Sequence, residues 1–278
     1  MARSLFMGIL GLLISGCATQ RLAGADLDSV QRPAFISRIE DGAGPRSMVF
    51  RDDDSYGGKL KKLEPKEADR RLVVKLQKAV TRFEISERLR VNTLTQLPRE
   101  APWTQTVDPA QVASSLESFL VEEVPANAPD YELLSPLGAD TIVEFVIQDY
   151  GMRSKGGHAG AFVEGYGRMF SLSGRSEVWR RPFHVDQVAA GAPHLDPFKV
   201  GKDPELFRLA VTAMLDEVAA TFVKDLTPKD RHGSAPKAAP ARLEGNGPDS
   251  VHVTGRQAAP PKPAEPELPA GELPAPDP

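Results

Sequence analysis

The chain has 278 residues, 41% of them hydrophobic and 26% charged, with a net charge of −4. That size and apolar content suit one ordinary domain with flanking segments, and the acidic balance excludes a global basic field that would draw nucleic acid. Cys17 is the only cysteine, which excludes a disulfide framework and a cysteine-ligated metal cluster.

Residues 1–16 have the layout of a secretory signal: Arg3 near the start, an apolar run from Leu5 to Ile14, then Ser15 and Gly16. The run is shorter than the roughly 20 apolar residues needed to span a bilayer core of about 30 Å. Ile14-Ser15-Gly16-Cys17 resembles the lipobox of bacterial lipoproteins. That resemblance implies cleavage before Cys17 and acylation of its thiol, with no cysteine left for nucleophilic chemistry. At about 0.8 kcal/mol per buried methylene, several acyl chains make a durable anchor. Ala18 follows the cysteine where an aspartate would signal inner-membrane retention, so the resemblance implies an outer-membrane lipoprotein facing the periplasm.

Residues 17–65 mix Gly, Asp, Arg and Pro without a sustained period and read as a lipidated tether, with one short strand near residues 47–51. A globular domain is expected over residues 66–227. Its first helix spans residues 66–88, with Leu72, Leu76, Ala79, Val80 and Phe83 on one face. Beside that face, Arg71, Lys75, Lys78 and Arg82 form a basic stripe. It is a candidate contact for an envelope protein partner or anionic lipid head groups, the plain alternative being a solvated helix face.

Alternation at Val91, Thr93, Thr95 and Leu97 predicts a short strand. Asp108 and Pro109 open a helix running to Glu123, buried through Val112, Leu116, Phe119 and Leu120. Residues 141–150 are dense in β-branched and aromatic residues and predict a strand. A glycine-rich mobile loop over 151–167 and a strand over 168–179 follow, and Phe183 and Val185 suggest a short edge strand. The closing helix covers residues 204–226, capped by Asp203, with Phe207, Val211, Met214, Val218 and Phe222 facing one way. Residues 228–278 carry 12 of the 25 prolines and no aromatic residue, the composition of a disordered tail. Fully extended, it would reach at most roughly 150 Å. The expected fold is therefore α+β, a single domain with helices packed on a small antiparallel sheet between a flexible tether and a Pro-rich tail.

Chemistry is sparse. His184-Val185-Asp186 and His194-Leu195-Asp196 place a His and an Asp two residues apart, with His158 upstream, but no zinc-type spacing completes a ligand set. Gly174-Arg175-Ser176-Glu177-Val178 lacks the second glycine of a nucleophile elbow. The glycines from Gly156 to Gly167 lack Gly-Lys-Ser/Thr and precede a strand instead of a helix. No catalytic residue, cofactor or metal is assigned, and no small-molecule ligand is identified.

Gly138-Ala139-Asp140 before the strand at 141–149, the segment Gly174-Arg175-Ser176-Glu177-Val178-Trp179 and the helix at 206–226 resemble periplasmic lipoprotein domains of the curli-secretion, TolB amino-terminal and penicillin-binding-protein-activator type. This sequence differs in lacking their Asp-x-x-Ser/Thr-Gly turn before the tryptophan. The expected role is a non-enzymatic accessory or adaptor in envelope assembly or transport. The alternatives are an envelope enzyme such as a cell-wall hydrolase, or a lipid-carrying domain with an internal apolar cavity.

Overall fold

The computed structural model describes residues 20–117, 120–121, 124–125 and 128–232. The signal segment, Cys17, Phe119 and the tail beyond residue 232 lie outside the described residues. In chain order the elements are α1 (Gly24–Asp28), β1 (Pro33–Ile39), β2 (Arg46–Met48), α2 (Asp54–Gly57), α3 (Pro65–Ala79), α4 (Arg82–Gln96), α5 (Pro109–Ser115), β3 (Leu120–Val121), β4 (Val124–Pro125), β5 (Thr141–Lys155), β6 (His158–Ser171), β7 (Glu177–Asp186), α6 (Pro197–Lys202) and α7 (Glu205–Asp225).

The α+β class stands, but the sheet is mixed. Its order is β1-β5-β6-β7; β5, β6 and β7 run antiparallel, while β1 and β2 pair in parallel with successive stretches of β5. The expected tether is the main correction. Residues 20–65 supply α1, β1, β2 and α2, and every residue of β1 is buried because both faces of the sheet are covered there. Parallel pairing of residues 33–39 with 141–147 is a contact across a hundred residues, invisible to a local reading of composition.

The sequence-predicted helix over 66–88 is two helices. Thr81 stops the first and caps the second: its hydroxyl accepts from the Glu84 amide at 3.1 Å, and the Glu84 carboxylate accepts from the Thr81 amide at 2.7 Å. The expected strand at 91–97 is the end of α4, where Leu89, Thr93 and Leu97 are buried at four-residue spacing. Asp108 and Pro109 begin α5 as expected, with the Asp108 carboxylate accepting from the Ala110 amide. That helix stops at Ser115, well before Glu123.

The glycine-rich stretch is sheet, not a mobile loop. β5 runs on to Lys155, and Gly156 and Gly157, both at positive φ, make a two-residue hairpin turn into β6. Gly167 leaves room for an aromatic ring: a Cβ there would sit 2.5 Å from Trp179 Cη2. The edge residues Phe183 and Val185 belong to β7, a single ten-residue strand.

The main core lies between the sheet and helices α3, α4 and α7, where Phe145, Trp179, Phe207 and Phe222 are fully buried. Phe145 and Phe222 stack at 5.1 Å and Trp179 meets Phe222 edge-on at 5.4 Å. A register shift between Ile147 and Asp149 lets β5 present Val143, Phe145 and Ile147, then Tyr150 and Met152, to this same core. On the other face, Ala34, Ile36 and Ile142 pack with Val112, Leu116 and Leu134.

Candidate functional site

The second face of the sheet carries a polar cluster built by three adjacent strands. Glu144 stands among apolar neighbours in β5, Arg38 lies on β1 and Arg168 opposes Glu144 on β6. Glu144 is fully buried. Its Oε1 accepts from Arg38 Nε at 2.7 Å, Oε2 accepts from Arg168 Nε, and the Tyr131 hydroxyl donates to Oε1. Arg38 Nη2 also donates to the Tyr166 hydroxyl at 3.2 Å, and the Arg180 guanidinium lies 4.1 Å above the Tyr166 ring.

Burial works against the charges of Arg38 and Arg168, but the Glu144 carboxylate more than offsets it, so both guanidiniums are held above the ordinary arginine value. Burial also pushes the Tyr131 hydroxyl far above the usual tyrosine range, and the neighbouring Glu144 charge pushes it in the same direction. Glu144 is thus a multiply bonded carboxylate sealed from solvent. It has the environment of a structural ion cluster, not that of a proton-transferring base open to substrate.

A cleft of about 450 Å³ opens beside this cluster, lined by Tyr131, Glu132, Arg168, Phe170, Arg175 and Glu177. Arg168 stacks over the Phe170 ring at 4.9 Å, and Arg175 reaches Glu132 at 3.2 Å across the rim. Sequence reasoning missed this cluster. The available signal was a charge set among apolar residues in each of three strands: Arg38, Glu144 and Arg168.

The basic stripe is partly reassigned. Arg71, Lys75 and Lys78 lie exposed on α3, with Arg71 Nε bound to Glu67 at 2.9 Å. Arg82 leaves the stripe: it follows the break between α3 and α4, and its Nη2 donates to the carbonyls of Ile39 and Glu40 at 3.1 and 3.2 Å. The stripe gains other members. Lys61, Lys62, Lys66 and Arg70 are exposed on the same stretch, and α6, which packs beside α3, adds exposed Lys199 and Lys202.

His184 is engaged apart from His158 and His194, whose rings lie 5.4 Å apart. His184 is exposed and pairs with Glu164 at 3.0 Å, while Asp186 is buried against Arg153. His194 Nδ1 accepts from the Ala159 amide at 3.2 Å, and its Nε2 lies 3.1 Å from the Tyr56 hydroxyl, which donates to the Gly157 carbonyl. His184, Asp186 and His194 therefore serve different contacts. Among the described residues no three His, Asp or Glu side chains converge in metal-holding geometry, and no helix is long and apolar enough to cross a membrane.

The first described residue, Gln20, lies beside the cleft. Gln20 Nε2 donates to the carbonyl of Glu177, a cleft residue, at 3.0 Å, and the backbones of Gln20 and Arg180 form an antiparallel bridge. No protein-family model matches the chain. No curated protein matches it either. In structure it is similar to the hypothetical protein CT253 from Chlamydia trachomatis, at 12% identity and a TM-score of 0.36, covering 71% of this chain and 98% of that one. It is also similar to the lipoprotein GNA1162 from Neisseria meningitidis, at 12% identity and a TM-score of 0.32, covering 68% and 99%.

Proposed function

We propose that this chain is a bacterial lipoprotein acylated on Cys17, held at the outer membrane facing the periplasm, where it acts as a non-enzymatic adaptor in envelope assembly or transport. The observation that carries the reading is the motif Ile14-Ser15-Gly16-Cys17, whose cysteine stands three residues before Gln20, a residue bridged to Arg180 of the sheet. At about 3.5 Å per extended residue the anchored cysteine lies within roughly 10 Å of the sheet edge. The domain is then a membrane-apposed body, and the mobile module expected from a long tether is replaced by one with little freedom to leave the surface. The sealed state of Glu144 and the separate engagements of His184, Asp186 and His194 favour a binding role over hydrolysis.

Membrane fractionation of cells producing the wild type or Cys17→Ser tests this. The wild type should sediment with outer membranes and require detergent for release, and the variant should appear in the soluble or unprocessed fraction. A wild type that partitions into the soluble periplasmic fraction would overturn the proposal.

A further inference from the structure

We infer that the lysine-rich face formed by α3, the segment before it and α6 is a docking surface for a carboxylate-rich protein partner, approached on the side away from the membrane attachment. Residues 59–78 hold eight basic and three acidic residues in a chain whose net charge is −4. Of the three acids, Asp69 is buried and Glu67 is paired with Arg70 and Arg71. Among the described residues Lys61, Lys62, Lys66, Lys75 and Lys78, with Lys199 and Lys202 of α6, form no ion pair. Many arginines elsewhere on the molecule, among them Arg46, Arg88, Arg168 and Arg208, are tied to carboxylates, whereas the lysines of this face are not. Two large apolar side chains stand exposed within it, Val74 at 46% and Phe198 at 37%. Apolar anchors in a charged field fit a protein interface better than a smooth polyanion.

The position of the face separates it from the attachment point, an argument that rests on the acylation of Cys17. Gln20 is fixed at Arg180, which pairs with Arg168. The α3 residue Asp69 binds the amides of Val49, Phe50 and Arg51, next to β2, which pairs with Met152; that residue in turn faces Ala161. Arg168 to Ala161 is seven residues of β6, about 23 Å along the strand. α6 lies farther still, against Tyr56, whose hydroxyl is bonded to Gly157 in the hairpin turn. Such distances exceed two Debye lengths of about 8 Å at physiological salt, so head groups near the anchor exert little pull on this face.

The test uses the full acylated protein in phosphatidylcholine vesicles containing phosphatidylglycerol and a spin-labelled head group, with a fluorophore on the only free thiol, introduced by Gln77→Cys on α3 or Ser173→Cys in the β6–β7 turn. The dye at 173 should be quenched and the dye at 77 should not. In parallel, poly-L-glutamate should bind with an affinity that falls steeply with salt. The quadruple reversal Lys62→Glu, Lys66→Glu, Lys75→Glu, Lys78→Glu should weaken it at least tenfold at an unchanged melting temperature. Quenching at 77 would assign the face to the anchoring bilayer and overturn the proposal, as would poly-L-glutamate binding that the reversal leaves intact. Quenching at neither site would instead overturn the anchor reading, and the poly-L-glutamate arm would then decide the surface alone.

Discussion

Gln20 and Arg180 exchange both backbone hydrogen bonds, the Gln20 amide donating to the Arg180 carbonyl at 3.0 Å and the Arg180 amide returning one at 3.1 Å. The free edge of the sheet is thereby fastened to the chain three residues after Cys17, and Pro182, two residues along β7, has no amide with which to extend the ladder. Gln20→Pro removes one donor of the pair. The loss is about 1 kcal/mol, so hydrogen exchange at the Arg180 amide should accelerate about fivefold with little change in global stability. An unchanged exchange rate would show that the bridge is not held in solution.

Glu144 balances two guanidiniums and a tyrosine hydroxyl with no access to water. Removing the charge with Glu144→Gln leaves Arg38 and Arg168 beside a neutral amide, a change expected to cost about 3–5 kcal/mol. Tyr131→Phe removes one hydrogen bond to the same carboxylate and should cost about 1.5–3 kcal/mol. Urea denaturation of the two variants checks the order; a smaller loss for Glu144→Gln than for Tyr131→Phe would contradict a central role for the carboxylate.

Trp179 fills the space above Gly167, and Phe222 lies 3.0 Å from the site a Cβ would take there. Gly167→Ala therefore overpacks the core and should cost about 1–3 kcal/mol. Trp179 fluorescence, read through the same denaturation, should also shift, because the ring must move to admit the methyl group.

Asp53 ties α2 to the hairpin turn, accepting from the Gly157 amide at 2.8 Å and the Ser55 amide at 2.9 Å. Burial raises its carboxyl pKa, but these amide bonds outweigh burial and leave it below the ordinary aspartate value. A carboxylate depressed on folding contributes stability that is present above its unfolded pKa of about 3.9 and is lost as pH falls through the folded value. Asp53→Asn should lower stability at pH 7 and flatten its decline between pH 5 and pH 3. An acid profile identical to that of the wild type would exclude this contribution.

What the sequence disclosed was local. Asp108-Pro109 and Asp203-Pro204 mark helix starts by their own chemistry, and residues 141–150 carry their strand propensity on their face. What it concealed was set by distant partners. Leu89, Thr93 and Leu97 suit a helix face, whereas Val91, Thr93, Thr95 and Leu97 suit a strand face, and only packing of α4 on α7 and β1 decides between them. Gly165 and Gly167 resemble loop residues until Phe183 and Trp179 are seen lying over them. Arg38, Glu144 and Arg168 lie on three different strands and form a cluster only once those strands are neighbours. Thr81-Arg82-Phe83-Glu84 was readable: a capping box in the middle of an apolar period announces a second helix.

The central claim is that Cys17 is the mature amino terminus and carries lipid. Mass spectrometry of the amino-terminal peptide from protein purified in detergent measures it directly. The expected peptide starts at Cys17 with a thioether-linked diacylglycerol and an amide-linked acyl chain. A peptide that starts elsewhere, or one with an unmodified Cys17 thiol, would contradict it.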